Sequence, residues 1–97
     1  MKLTDFTASL DSRQPPKELI LPLQALWWDA KGDWNKAHEC AQADEQDPPN
    51  QWVHAYLHRK EGDQSNAEYW YRRCGRKPSK AGLDEEWRAI VKALLKA

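Results

Sequence analysis

The feature that most constrains this chain is an internal repeat with a spacing of 30 residues. Shifting the sequence by that spacing aligns identical residues of the kinds that paired helices need: small residues at helix contacts, glycine and aspartate at turns, and proline at helix ends. The repeat therefore predicts two successive helix hairpins. The aligned pairs are Ala25 with Ala55, Gly32 with Gly62, Asp33 with Asp63, Ala37 with Ala67, and Pro48 with Pro78.

Apolar residues at three- and four-residue spacing predict helices on both sides of each glycine. We predict the first hairpin over residues 21–47 and the second over residues 50–77, with the segment 47–50 ending the helix between them. The aspartates that follow Gly32 and Gly62 are predicted to cap the second helix of each hairpin.

The two ends of the chain are predicted to cover this pair of hairpins. Residues 1–16 read as a short helix and a linker, and residues 83–97 have the strongest amphipathic pattern. Since one hairpin cannot bury its apolar face alone, flanking helices are needed to close the core. We therefore predict an all-α single domain over residues 1–97, with two stacked antiparallel hairpins, a short N-terminal helix and a C-terminal capping helix.

The repeat resembles the tetratricopeptide repeat, whose second helix carries an alanine, an aromatic residue four positions later and then a proline. Ala67, Tyr71 and Pro78 follow that pattern. The chain departs from the family where His54 and His58 replace its leucine and tyrosine, and where the period is 30 residues rather than about 34. The resemblance implies a protein–protein interaction module.

Composition narrows the classes of partner and the compartment. With 15 basic and 15 acidic side chains, the chain lacks the overall charge typical of nucleic-acid binders. No segment resembles a signal peptide or a membrane span, so we expect a cytoplasmic protein that binds neither nucleic acid nor membrane. The segments 52–58 and 69–73 also resemble short uncharacterised bacterial proteins, which implies a bacterial source but no particular activity.

The resemblance implies that the first helix of each hairpin lines an inner binding surface. On that surface we predict Trp52, Tyr56, Arg59 and Lys60 as partner-binding residues, because two aromatic side chains beside two cations suit an acidic or C-terminal peptide. The alternative is that the helix over residues 83–97 packs into the same groove and leaves the cations at a solvated rim.

Two histidines offer a second function from a different class. His54 and His58 lie one helical turn apart and would bind a divalent metal or a small ligand if a third ligand lay near. His38 and Cys40 belong to a different predicted helix, so the sequence supplies no third ligand. We therefore predict no metal site and no cofactor, and we keep ligand binding at His54 and His58 as the alternative function.

A run of cations lies at the end of the second hairpin. Arg72, Arg73, Arg76 and Lys77 have no acidic residue among them, and acidic residues concentrate near the end of the first hairpin. This layout favours phosphate binding or head-to-tail association of two copies. The alternative is that the cations only compensate the dipole of the preceding helix.

No catalytic pattern stands out in the sequence. There is no glycine-rich phosphate loop and no nucleophile elbow, and the acidic residues lie at predicted helix ends and turns. Cys40 and Cys74 have no paired spacing, so we predict two reduced, largely apolar side chains. We expect no enzymatic activity.

Overall fold

The computed structural model describes residues 1–96, and it is all-helical over that range, with no strand. Within that range it contains six α-helices, each of which contributes buried residues, and a short 3₁₀ turn over Ser9–Asp11 follows the first helix. No helix among these residues is long and apolar enough to cross a membrane. The α-helices are α1 (Leu3–Ala8), α2 (Leu21–Ala30), α3 (Trp34–Gln42), α4 (Pro48–Glu61), α5 (Gln64–Arg73) and α6 (Leu83–Lys96).

The helices α2 and α3 pack together, as do α4 and α5, and each pair is joined by the same turn. Gly32 and Gly62 have φ of 81° and 90°, which a residue with a side chain rarely adopts. The amide after each glycine donates to the carbonyl five residues earlier, at 3.0 Å in the first turn and 2.9 Å in the second. The two turns have the same hydrogen-bond pattern, so the 30-residue repeat in the sequence corresponds to a repeated helix–turn–helix in the structure.

Aspartate caps begin the second helix of each pair, as predicted. Asp33 accepts a hydrogen bond from the Lys36 amide at 3.1 Å, and Asp63 accepts one from the Asn66 amide at 3.3 Å. Caps of this kind typically contribute about 1 kcal/mol each. They fix where α3 and α5 start.

The repeated alanines lie where the helices approach each other. All four are fully buried, because a methyl group is small enough to let neighbouring backbones come close. A larger side chain at these positions would push the paired helices apart. These residues are Ala25, Ala37, Ala55 and Ala67.

The boundary between the helix pairs differs from the prediction. The helix α3 ends at Gln42, and Pro48 and Pro49 begin α4 instead of ending the preceding helix. Asp47 caps α4 by accepting from the Asn50 amide at 3.3 Å. Proline suits this position because the first turn of a helix does not use its backbone N–H groups.

The helix α6 packs across α1, α2 and α4. Its Ile90, Val91 and Leu94 are buried, and Trp87 donates its indole N–H to the Leu26 carbonyl at 3.1 Å. The predicted capping helix over 83–97 is therefore helical through Lys96, and Ala97 lies outside the described residues.

The short helix α1 is fixed to the same core. Phe6 is fully buried with its ring centroid 5.7 Å from that of Trp87, and the Trp27 indole donates to the Ser9 hydroxyl at 3.0 Å. Lys31 donates to the carbonyls of Leu10 and Ser12 from the end of α2. The N-terminal segment is thus part of the packed domain.

Candidate partner-binding groove

The inner side of α4 carries three of the four predicted partner-binding residues, and they are engaged within the protein. Tyr56 is only 2% exposed, and its hydroxyl donates to one Asp29 carboxylate oxygen at 3.1 Å. Lys60 donates to the other oxygen at 2.9 Å. The Asp29 side chain, itself 5% exposed, thereby joins α2 to α4.

The helix α4 is joined to α6 in a similar way. Arg59 donates to a Glu86 carboxylate oxygen at 2.7 Å and also to the Ala81 carbonyl. The second Glu86 oxygen accepts from the Tyr71 hydroxyl at 2.5 Å, and Glu86 is only 4% exposed. We call this set the inner network: Asp29, Tyr56, Arg59, Lys60, Tyr71 and Glu86.

The two tyrosines of the inner network are buried hydrogen-bond donors. Burial, followed by the nearby Asp29 charge, raises the pKa of the Tyr56 phenol. Burial and the hydrogen bond to Glu86 raise the pKa of Tyr71 in the same direction. Both phenols therefore stay protonated and donate. The helix α6 covers part of this side of α4, and Asp29, Tyr56 and Lys60 line a cavity of about 420 Å³ that remains beside it.

Trp52, the remaining predicted residue, lies beside a predicted anion-binding residue. Its ring is half-buried, and the Arg76 guanidinium carbon lies 3.4 Å from the ring centroid. A guanidinium stacked on an indole face is held by a cation–π attraction of about 0.5–2 kcal/mol. The structure therefore joins the two predicted sites at this contact.

Cavities open on both sides of the Trp52–Arg76 contact. The larger, of about 540 Å³, runs between α4, α6 and the loop after α5, and Tyr71, Lys77 and Ala89 line it. The smaller, of about 210 Å³, is lined by Pro48, Pro49, Cys74 and Leu94. We call the contact and its two cavities the tryptophan–arginine groove.

The other predicted cations divide into two groups. Arg72 and Lys77 are exposed, as is Arg76 itself. Arg73 is exposed as well, but it lies over the rings of Tyr69 and Trp70, with its guanidinium carbon 5.8 and 4.8 Å from their centroids. The cavity wall also carries Glu85 and Glu86, of which Glu86 is neutralised by Arg59 in the inner network.

The two predicted histidines lie on another side of α4, where a third histidine joins them. His54 is 2% exposed and His58 is 7% exposed, and the His54 Nε2 atom lies 3.0 Å from His38 Nε2 of α3. The sequence placed His38 in a separate helix, and only the packing of α3 on α4 brings it here. We call His38, His54 and His58 the histidine cluster.

Comparisons with known proteins do not indicate a function for this chain. No protein-family model matches the chain, and no curated protein or solved structure shows significant similarity to it. The tetratricopeptide resemblance therefore depends on the residues that suggest it, namely the repeated alanines, glycines and the pair Ala67 and Tyr71.

Proposed function

We propose that this chain is a small protein-binding module of tetratricopeptide-like helix pairs, and that it holds an acidic peptide segment in the tryptophan–arginine groove. The observation that supports this proposal is the Arg76 guanidinium stacked on Trp52 between two cavities. The stacked cation is oriented before any ligand arrives, which lowers the entropic cost of binding.

The groove combines the two interactions that an acidic peptide needs. Arg76 and Lys77 supply charge for a carboxylate, and a guanidinium can bind the two carboxylate oxygens together. The Trp52 ring and the apolar wall near Leu94 supply area for the peptide's carbon atoms. The position of Trp52 on α4, the first helix of the second pair, agrees with the surface used by the family that the repeat resembles.

The test is binding of a fluorescent Asp/Glu-rich octapeptide with a free C-terminal carboxylate, followed by fluorescence anisotropy. We expect saturable binding that weakens as salt rises. Exchanging Arg76→Gln together with Lys77→Gln should weaken it at least about tenfold, because both anion-binding charges are lost.

The matched control is Arg88→Gln with Lys92→Gln, which removes the same charge from exposed positions of α6. Equal weakening by both double variants would show non-specific charge attraction and contradict the groove. Self-association is the remaining outcome: if the mass rises with concentration and Arg76→Gln abolishes the rise, the acidic segment belongs to a second copy, through Glu39, Asp44, Glu45 or Asp47.

A further inference from the structure

The histidine cluster brings three imidazole rings from two helices together in a partly buried site. The helix α3 contributes His38, and α4 contributes His54 and His58. One ring nitrogen from each residue lies within 4.8 Å of the corresponding nitrogens of the other two. Three nitrogen donors this close are enough for one metal ion.

The spacing of the donors suits a first-row transition ion. Two imidazole nitrogens bound tetrahedrally to zinc at about 2.0–2.1 Å lie about 3.3 Å apart. The Nε2 atoms of His38 and His54 are already 3.0 Å apart. A shift of a few tenths of an ångström in two side chains would therefore bring the separation of the two nitrogens to that of two zinc ligands.

His58 is oriented by a carboxylate. Its Nδ1 atom lies 2.5 Å from a Glu61 carboxylate oxygen, so this nitrogen donates, and Nε2 is the ring nitrogen that is left to bind a ligand. A carboxylate that receives the N–H of a histidine is the usual second partner of metal-binding histidines, because it fixes the ring and makes the ligand more basic. Glu61 gives His58 that arrangement in the protein as it stands.

Hydrogen bonding alone leaves the histidine cluster incomplete. Between His38 and His54 only one proton can occupy the 3.0 Å contact, and His54 Nδ1 is buried with no hydrogen-bond partner among the described residues. A buried polar atom without a partner costs about 1–3 kcal/mol. An ion bound through Nε2 would replace the shared His38–His54 proton with two metal–nitrogen bonds and would leave the ring proton of His54 on Nδ1.

Two tryptophans hold the rings in place. Trp34 stacks on His38 with centroids 4.5 Å apart, and Trp70 stacks on His54 at 3.9 Å. These contacts restrict rotation of both imidazoles, so less conformational entropy is lost when they bind a ligand. His38 is the most exposed of the three, which leaves its side of the site open to an entering ion.

We propose that His38, His54 and His58 bind one divalent first-row transition ion, of which Zn²⁺ is the test case, with the fourth position open to water. Neutral imidazole donors favour Zn²⁺, Co²⁺, Ni²⁺ and Cu²⁺, whereas Mg²⁺ and Ca²⁺ require oxygen ligands. The ion would join α3 to α4 and so hold the two helix pairs together. The site is on a different side of α4 from the inner network and does not depend on the proposed function.

The test is isothermal titration calorimetry of the purified, chelator-treated protein with ZnCl₂, and with MgCl₂ for comparison. We expect one Zn²⁺ per chain and no heat of binding with Mg²⁺. His38→Ala and His58→Ala should each weaken Zn²⁺ binding by more than about 100-fold, since each removes a ligand rather than its outer partner.

Glu61→Gln provides a finer measurement, because it keeps all three ligands. We expect it to weaken Zn²⁺ binding by about 10–100-fold through the lost orientation of His58. The matched control Glu39→Gln removes an exposed carboxylate from α3 and should leave the affinity unchanged. Far-UV circular dichroism checks that each variant is folded.

Three results would overturn the proposal. They are the absence of Zn²⁺ binding to the unaltered chain, Zn²⁺ binding that survives His38→Ala in a folded variant, and Mg²⁺ binding as tight as that of Zn²⁺. None of them would affect peptide binding in the tryptophan–arginine groove, so the two proposals fail separately.

Discussion

Two polar clusters lie on different sides of α4, and they differ in how their polar groups are satisfied. In the inner network every charged side chain has an opposite charge or a phenol at hydrogen-bond distance, as between Glu86, Arg59 and Tyr71. In the histidine cluster a buried His54 nitrogen has no hydrogen-bond partner among the described residues. The inner network thus supplies its own partners, whereas in the histidine cluster one buried polar atom has none among the described residues.

The largest effect should come from breaking the inner network at Glu86. Replacing Glu86 by alanine leaves Arg59 and Tyr71 without their buried partner, and loss of one member of such a pair costs about 3–5 kcal/mol. We expect the urea midpoint of unfolding to fall accordingly.

The adjacent Glu85 provides the control, because it is exposed. Glu85→Ala should change the free energy of unfolding by less than about 0.5 kcal/mol. If both variants have the same stability, the contact between α6 and α4 is not held by this carboxylate.

The histidine cluster should respond to acid instead. The pKa of His54 is lowered to about 3 in the folded chain from an unfolded value of 6.5, so the unfolded state binds its proton first as pH falls. The contribution of neutral His54 to the free energy of unfolding is therefore complete above about pH 6.5. It is lost progressively toward pH 3, and about 2 kcal/mol of it is lost by pH 5.

The measurement is urea unfolding at pH 7 and pH 5 with a chelator present, for the unaltered chain and for His54→Gln. Acid effects on the carboxylates are common to both proteins and cancel in the comparison. The variant should lose about 2 kcal/mol less between the two pH values. Equal losses in the two proteins would mean that the pKa of His54 is the same in the folded and unfolded chain.

The smallest effect on stability should come from removing a single hydroxyl group of the inner network. Tyr56→Phe removes one hydrogen bond to Asp29 and leaves the Lys60 ion pair in place. We expect a loss of about 1–2 kcal/mol in urea unfolding, because one oxygen of a buried carboxylate loses its donor. A variant as stable as the unaltered chain would indicate that water replaces the hydroxyl.

The sequence predicts the features that depend on near neighbours. Gly32, Gly62 and their following aspartates form the expected turns and caps, since each needs only the residues of one turn of chain. The prediction that Pro48 ends the preceding helix is wrong, because proline is compatible both with the end of one helix and with the start of the next. Local pattern alone cannot choose between them.

The sites depend on packing between helices, which the repeat pattern does not describe. The four-residue spacing predicts that His54 and His58 share a side of α4, but the approach of His38 depends on how α3 packs against α4. The same limit applied to Tyr56, whose burial follows from its contact with Asp29 of α2. The stacking of His38 on Trp34, four residues earlier, is the local signal that most nearly indicates the cluster.

The indole of Trp87 has a consequence for how the chain reaches its fold. The hydrogen bonds of the inner network join positions 15 to 31 residues apart, and the hydrogen bond of Trp87 to the Leu26 carbonyl joins positions 61 residues apart. Contacts at such long separation form late and make folding slow relative to a simple helical bundle. Despite its repetitive plan, the protein is expected to gain its order in one cooperative step, and neither helix pair should persist as an autonomous fragment.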